Sequence, residues 1–340
     1  MIREKNKFPP VTFIIPTLDA ITHLPRLIGS IRSQNYPRNC IEIIVSDGGS
    51  KDGTVAYCRK QHIRVIYNPL VLHEPGKTLA AKSAHGKIIF YTDADNYLAS
   101  DDWIGKMIRP FLDHPDVVGF LPQTRPPPDS SSLNRYLGYL YTDPFSWFVY
   151  QNGANPLDYK KIFRPVAEKP SEYIIYKFSI SNLPLFGLSQ GTGVVRRFKR
   201  SADSSADDIL AGIAVINHGG LIAHIPDASL YHYHVDGISR FISKYTWRVR
   251  NNLVQKIKLM GFVHRKNLLS PAQIARSYLF IPYAITVILP LYDSIRLSLK
   301  YRDSVMLWHL PATLILSLIM VKELTQKYLL NLNLKLGQYE

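Results

Sequence analysis

The chain has 340 residues, 46% of them apolar, and its 41 Lys and Arg outnumber 26 Asp and Glu to give a formal charge of +15. This composition argues against a disordered chain and allows one large domain or a catalytic domain with an appendage, while the charge suits an acidic partner such as a nucleotide diphosphate, a phospholipid headgroup or nucleic acid and does not choose among them. Cys40 and Cys58 are the only cysteines, so neither a disulfide framework nor a structural zinc site is expected, and a reducing cytosol suits them.

The basic stretch Met1 to Lys7 runs into a short apolar segment broken by Pro9, Pro10 and Pro16, without the pattern of a secretory signal. Val11 to Ile15 and Ile41 to Val45 are β-branched apolar runs that predict buried strands. Leu24, Leu27, Ile28 and Ile31 recur between them at helical spacing. A helix over Thr54 to Gln61 leads to strands at Ile63 to Tyr67 and Lys87 to Thr92, and Asp101-Asp102-Trp103 opens another helix before a strand at Val117 to Leu121. Strands alternating with helices predict an α/β fold with a mostly parallel, doubly wound sheet. Pro126 to Ser132 has the composition of a linker, and an aromatic stretch from Tyr136 to Tyr150 follows it. For that stretch core packing is the leading explanation, with an acceptor-side lid as the functional one.

Asp19, Asp47, Asp93 and Asp95 all fall just beyond the ends of predicted parallel strands, where open α/β sheets gather their ligands. Asp93-Ala94-Asp95 offers two carboxylates separated by one residue. Such a pair can hold a divalent cation that also grips a diphosphate. The glycines of Asp47-Gly48-Gly49-Ser50 let backbone approach a ligand closely, and Asp47 can accept hydrogen bonds from a base or ribose. Pro16-Thr17-Leu18-Asp19 stands where a dinucleotide fingerprint would follow the first strand, which disfavours a nicotinamide enzyme.

In this order and spacing, Pro16-Thr17-Leu18-Asp19, Ser46-Asp47-Gly48-Gly49-Ser50-Lys51-Asp52-Gly53-Thr54 and Asp93-Ala94-Asp95 resemble the family 2 glycosyltransferases of the GT-A fold. Gly191-Thr192-Gly193 with Arg196-Arg197 resembles the family's acceptor-side segment, and Asp207-Asp208 stands where the family usually has Glu-Asp. The resemblance covers about residues 10 to 250. It implies a Rossmann-like catalytic domain and an inverting transfer from a nucleotide diphosphate sugar, a UDP-sugar being favoured. Pro16, Thr17, Asp19, Asp47, Gly48, Gly49, Asp93, Ala94 and Lys77 would bind the donor, and Asp95 with Asp93 would hold Mg²⁺ or Mn²⁺. Asp208 would be the general base, with Asp207 the alternative beside it. Gly191, Thr192, Gly193 and Arg196 would line the acceptor or diphosphate side. Tyr245-Thr246-Trp247-Arg248 is not the QxxRW pattern of processive synthases, so a single-sugar transfer is expected.

His232 and His234 alternate, so on one strand they would face the same side, where either could complete a metal shell or touch the diphosphate, a structural role being the commoner one for such histidines. Arg196, Arg197, Lys199 and Arg200 form one basic cluster and Arg240, Lys244, Arg248 and Arg250 a second; a solvated face is the usual explanation of such runs, and Arg248 and Arg250 are weaker candidates for clamping phosphate oxygens. Tyr278 to Tyr292 and Val305 to Val321 are nearly uncharged but short for membrane spans and carry Pro282, Pro290 and Pro311. The connector between them bears Arg296, Lys300 and Arg302, which fits re-entrant or interfacial helices on an anionic membrane better than a hairpin with both ends inside.

The expected organisation is therefore a catalytic domain over residues 8–250, its nucleotide-binding half at 8–125 and its acceptor half at 126–250, followed by a helical, membrane-associated segment at 251–340. The expected activity is hexosyl transfer to an acceptor hydroxyl or lipid phosphate in cell-envelope glycan or glycolipid synthesis, at the cytoplasmic face of a membrane. A nucleotidyltransferase would carry a Gly-rich basic loop after the first strand, and none is present. A non-catalytic binding protein is the third class, but no nucleic-acid module is recognised and no nucleic-acid partner is expected.

Overall fold

A computed structural model describes residues 8–151, 154–181, 183–185, 187–200, 208–251 and 269–329. The chain divides into two units: the residues up to Thr124 with Pro156–His232, and Arg125–Asn155 with the residues from Tyr233 onward. The aromatic stretch, expected in the acceptor half, thus clusters with the C-terminal helices.

The first unit is built on a sheet in the order β3-β2-β1-β4-β9-β6-β10-β8-β7, with β5 pairing β10. Strands β1 (Val11–Thr17), β2 (Ile41–Asp47), β3 (Arg64–Tyr67) and β4 (Ile88–Tyr91) are parallel and occupy the positions expected from their apolar runs. Every residue of β1 and β4 is buried, as required of parallel strands covered on both faces. Helix α1 (Leu24–Arg32) lays Leu24, Leu27, Ile28 and Ile31 into this core. The flanking helices α2 (Thr54–Lys60), α3 (His73–Lys82) and α4 (Trp103–Asp113) follow β2, β3 and β5 (Asn96–Leu98).

Beyond β4 the sheet departs from the mostly parallel expectation. Strand β9 (Thr192–Val195) runs antiparallel between β4 and β6 (Val117–Arg125), while β10 (Leu221–His232) pairs antiparallel with β8 (Tyr173–Tyr176) and β8 with β7 (Ala167–Lys169). Strands β7, β8 and β9, of three or four residues each, carry too little alternation to be read from sequence. The reversal of β9 matters for the site, because its first residue, Thr192, pairs with Tyr91 at the C-terminal end of β4.

His224 in β10 is fully buried, and its Nε2 lies 3.2 Å from the Gln123 amide oxygen, so that nitrogen carries the proton. Burial pushes the imidazole pKa down to about 3. A depressed histidine supplies stability that is fully present above the unfolded value, about 6.5, and is lost as pH falls toward the folded value. Between pH 7 and pH 5 this residue is expected to withdraw on the order of 2 kcal/mol. Urea unfolding at both pH values checks this, since His224→Phe should flatten that part of the slope.

In the second unit, α5 (Ser132–Leu140), α6 (Pro144–Tyr150), α8 (Ile238–Val249), α9 (Pro271–Ile285), α10 (Ile288–Tyr301) and α11 (His309–Tyr328) enclose a core that includes Tyr136, Phe145, Phe241, Phe280, Met306 and Leu316; α7 (Asp208–Asn217) belongs to the first unit. His309 is buried between the hydroxyls of Tyr136, 2.9 Å from Nδ1, and Tyr283, 3.1 Å from Nε2. Tyr283 donates onward to Asp293 at 2.8 Å, so its oxygen accepts from Nε2–H and Tyr136 donates to Nδ1. The long apolar α11 carries this histidine together with buried Thr313, Ser317 and Glu323.

Candidate functional site

The loops after β1 and β2 are laced together. Gly48 N–H donates to the Thr17 carbonyl, Lys51 N–H to an Asp19 carboxylate oxygen, Ala20 N–H to Thr54 Oγ1 and Ile21 N–H to Asp52. Asp47, 3% exposed, receives Thr17 Oγ1 at 2.8 Å, the Gly49 and Ser50 N–H groups at 2.9 Å each, and the Ser50 hydroxyl. The carboxylate that sequence assigned to a base or ribose is therefore the hub that fixes the loop. Gly48 has no room for a Cβ, which would sit 2.9 Å from the Val71 carbonyl, and Gly49 holds φ +101°. Pro16 is buried within β1. The Asp47 loop also borders an open groove of about 620 Å³, whose other side includes Arg59, Val65 and the exposed Tyr67.

Asp93, Ala94 and Asp95 follow β4 at the same edge of the sheet. Asn96 closes the turn, its side-chain oxygen accepting from Asp93 N–H while its own N–H reaches the Asp93 carbonyl. Beneath lies a buried ionic chain that sequence did not reveal. Lys77 Nζ is 2.8 Å from Asp93 and 3.0 Å from Glu74, and Glu74 is 2.6 Å from the Arg200 guanidinium. Lys77 is 1% exposed and serves as the counter-ion of Asp93. Burial pushes the Asp93 carboxyl up, but the Lys77 ammonium overrides it and holds the group below its ordinary value. Burial likewise works against the Lys77 charge, and Asp93 and Glu74 more than offset it.

Strand register brings His232 to this turn. His232 pairs with Asn96 across β10 and β5, and its Nε2 lies 3.4 Å from Asp95. His234, two residues on, is past the end of the strand; its backbone N–H goes to Asn134 in the second unit. The two histidines therefore do not lie on one strand, because β10 stops at His232.

Asp208 stands in the first turn of α7, and its Oδ2 accepts from Ser189 Oγ at 3.0 Å. Gly187 packs so closely that a Cβ there would lie 2.7 Å from Oδ2. The Asp208 charge also reaches Lys77, which places it within the field of the Asp93 pair. Asp207 lies outside the described residues. Gly191, at φ +77°, donates to the Tyr91 carbonyl and has no space for a side chain against Leu230 and Trp103; Gly193 is equally tight against Phe90. Gly191 and Thr192 thus share the edge that carries Asp93.

Arg196 is not brought there. Arg196 follows the far end of β9, donating its N–H to the Lys87 carbonyl at the opposite end of β4 from Asp93. Arg248 and Arg250 belong to the second unit, where Arg250 forks onto Glu323 at 2.8 and 3.0 Å. An ion pair with a fully buried glutamate occupies that guanidinium.

Among the described residues no three His, Cys, Asp or Glu side chains form a ready metal cluster. Asp95 and His232 nevertheless present an oxygen and a nitrogen donor side by side, with the Asp93 carboxylate one turn residue away. That donor set fits a hard divalent ion that takes its remaining ligands from phosphate oxygens. Glu74 and Ser189 are the residues that sequence reasoning missed, and Arg200, read from sequence only as part of a basic cluster, is instead the buried partner of Glu74.

A family model described as Glycosyl transferase family 2 matches residues 12–181. A curated relative, the poly(ribitol-phosphate) beta-N-acetylglucosaminyltransferase TarS of Staphylococcus aureus, is 28% identical over 113 residues, 31% of this chain and 19% of the relative, so the match spans about a fifth of that protein's length. Among solved structures, the mannosyltransferase PcManGT from Pyrobaculum calidifontis in complex with GDP-Man and Mn²⁺ has a TM-score of 0.50 at 16% identity, covering 92% of this chain and 87% of that one. S. aureus TarS 1-349 in complex with UDP-GlcNAc has a TM-score of 0.49 at 12% identity, over 96% and 93% of the two chains. At these identities the likeness is one of fold.

Proposed function

The chain belongs to glycosyl transferase family 2, is a glycosyltransferase of GT-A fold, and from that premise we propose that it transfers a single sugar, with inversion, from a nucleotide diphosphate sugar to an acceptor in cell-envelope glycan or glycolipid synthesis. The observation that carries the reading is the shared edge at which Asp93, Asp95 and His232 meet above the buried Lys77, with Asp208 in the same field.

Each residue has a chemical task there. The laced β1 and β2 loops give the nucleoside a rigid wall whose shape is held by Asp47. Lys77 keeps Asp93 ionised, so that a carboxylate faces the donor side of the turn. Asp208, oriented by Ser189, takes the proton of the acceptor hydroxyl as its oxygen attacks the anomeric carbon. One displacement inverts that carbon, and the nucleoside diphosphate leaves. A divalent cation held by Asp95 and His232 beside Asp93 would neutralise charge on the departing diphosphate.

The sugar nucleotides named for the neighbours, UDP-GlcNAc and GDP-Man, favour a UDP- or GDP-sugar donor. A phosphate-bearing acceptor, as in the name of the S. aureus relative, suits a chain of charge +15. The apolar C-terminal helical region supports a membrane-associated enzyme, and our reading puts its active site on the cytoplasmic side with a lipid-linked or polymeric glycan acceptor.

A thermal-shift panel of UDP-, GDP- and dTDP-sugars with and without Mn²⁺ tests the reading. At a hundredfold excess over Kd, the right donor stabilises the fold by about 2.7 kcal/mol. Asp95→Ala is expected to keep the fold and lose the Mn²⁺-dependent part of the shift. A panel in which no sugar nucleotide moves the melting temperature would overturn the reading.

A further inference from the structure

The exposed apolar surface of the second unit is concentrated at one place. Helices α9 and α10 meet at a bend of 98°, and ten exposed large apolar side chains fall between Tyr278 and Leu299. The apex carries Ile285, Val287, Ile288, Leu289, Leu291 and Tyr292, with Ile288 74% exposed. The one described helix long and apolar enough to cross a membrane, Ser304–Tyr328, is half buried and spends its polar groups inside, Glu323 against Arg250 and His309 between two tyrosines. It also exposes Leu307, Leu318 and Val321, but among the described residues the longest run of outward-facing apolar side chains is at the elbow.

We propose that this elbow inserts into one leaflet of an anionic phospholipid membrane as a monotopic anchor. The proposal rests on the membrane-associated reading given above and names the element responsible. Two observations point to lipid rather than to a protein groove.

The first is the backbone. A chain entering hydrocarbon must satisfy its own polar groups. At the bend, Thr286 N–H donates to Pro282, Val287 N–H to Ala284, Ile288 N–H to Thr286, Leu289 N–H to the Thr286 hydroxyl and Leu291 N–H to Val287, while Pro290 has no N–H. Every backbone donor from Thr286 to Leu291 is closed within the elbow. This closure requires Val287 at φ +58°, a strained conformation for a β-branched residue.

The second is the order of side chains away from the apex. Residues 285–292 contain no charge, Tyr278 and Tyr292 lie on the two arms, Asp293 follows as the partner of Arg296 at 2.9 Å, and the cations Lys300, in the last turn of α10, and Arg302, its C-cap, come after them. From Ile288 to Lys300 the helix rises by about 18 Å. Apolar tip, tyrosines, then cations is the sequence of environments met by an interfacial anchor passing from acyl chains to headgroups. The basic end complements an anionic surface.

The full chain is tested by flotation with phosphatidylcholine vesicles, with and without phosphatidylglycerol. Wild type is expected to float with the anionic vesicles and less with the neutral ones. Ile288→Glu/Leu289→Glu, changed at exposed positions, should lose at least tenfold in partitioning with an unchanged melting temperature. Lys300→Glu/Arg302→Glu should lose the preference for anionic lipid. Independently, Ile288→Trp should show emission quenched by brominated acyl chains. Flotation of the Ile288→Glu/Leu289→Glu chain equal to wild type overturns the proposal, as does absence of wild-type flotation on anionic vesicles. A dimer broken by the same double variant, without flotation, assigns the face to a second copy and also overturns it. No donor or acceptor is present in these measurements, so failure here is distinct from failure of sugar transfer.

Discussion

Asp208→Asn is expected to lower the transfer rate by about 10²- to 10⁴-fold, the usual contribution of a positioned general base, while leaving fold and donor binding intact. Asn occupies the same volume, which matters because Gly187 leaves no slack: a Cβ at that glycine would lie 2.7 Å from the Asp208 oxygen. The Ser189 hydroxyl, 3.0 Å away, can still donate to the amide oxygen. The proton acceptor alone is removed. Single-turnover transfer with saturating donor, compared with the donor-induced thermal shift, separates chemistry from binding. Near-normal turnover would remove Asp208 from the role of base. Ser189→Ala, which frees the carboxylate to rotate without changing its charge, should cost less than Asp208→Asn.

The parallel half of the sheet was legible because β1, β2 and β4 are long enough, or apolar enough, to stand out, and because turn-rich acidic loops close them. The placement of Asp47, Asp93 and Asp95 at one edge follows from that alone. What the loops do was less legible. Asp47 has the residue type and position of a ligand-binding carboxylate, yet its oxygens are engaged by Thr17, Gly49 and Ser50. Spacing cannot distinguish a carboxylate that binds a ligand from one that shapes the wall beside it.

Strand boundaries hid two further facts. Gly191 and Arg196 are five positions apart in sequence, but a four-residue strand lies between them, so they end at opposite edges of the sheet. His232 and His234 were separated in the same way by the end of a strand. Glu74 and Arg200 were invisible for a different reason. A buried ion pair between residues 126 positions apart has no local pattern, and each residue alone looks like a solvated charge.

Replacing Lys77 by Met tests that buried chain and should have the largest effect on stability. The ammonium is 1% exposed and serves Asp93 at 2.8 Å and Glu74 at 3.0 Å. Its loss leaves two carboxylates facing each other's site, with Arg200 alone to balance them. Removing one partner of a buried pair costs about 3–5 kcal/mol, because the remaining charge stays desolvated. The cost should be smaller than additive in Lys77→Met/Asp93→Asn, with a coupling of about 1–3 kcal/mol; strict additivity would mean that the two side chains do not depend on each other.

The pH dependence supplies a second reading with the sign fixed in advance. In the wild type Asp93 is held below its ordinary value of 3.8, so its contribution is present above that value and fades as pH falls through the lowered one. Without Lys77, burial acts on the carboxyl with its main counter-ion gone, and the folded pKa moves up. Folding then disfavours the ionised form, and protonation relieves the penalty. The stability gap between wild type and Lys77→Met should therefore narrow as pH is lowered from about 7 to about 4. Urea unfolding at each pH measures it, and a gap that stays constant or widens would show that Lys77 stabilises this edge by packing rather than by charge.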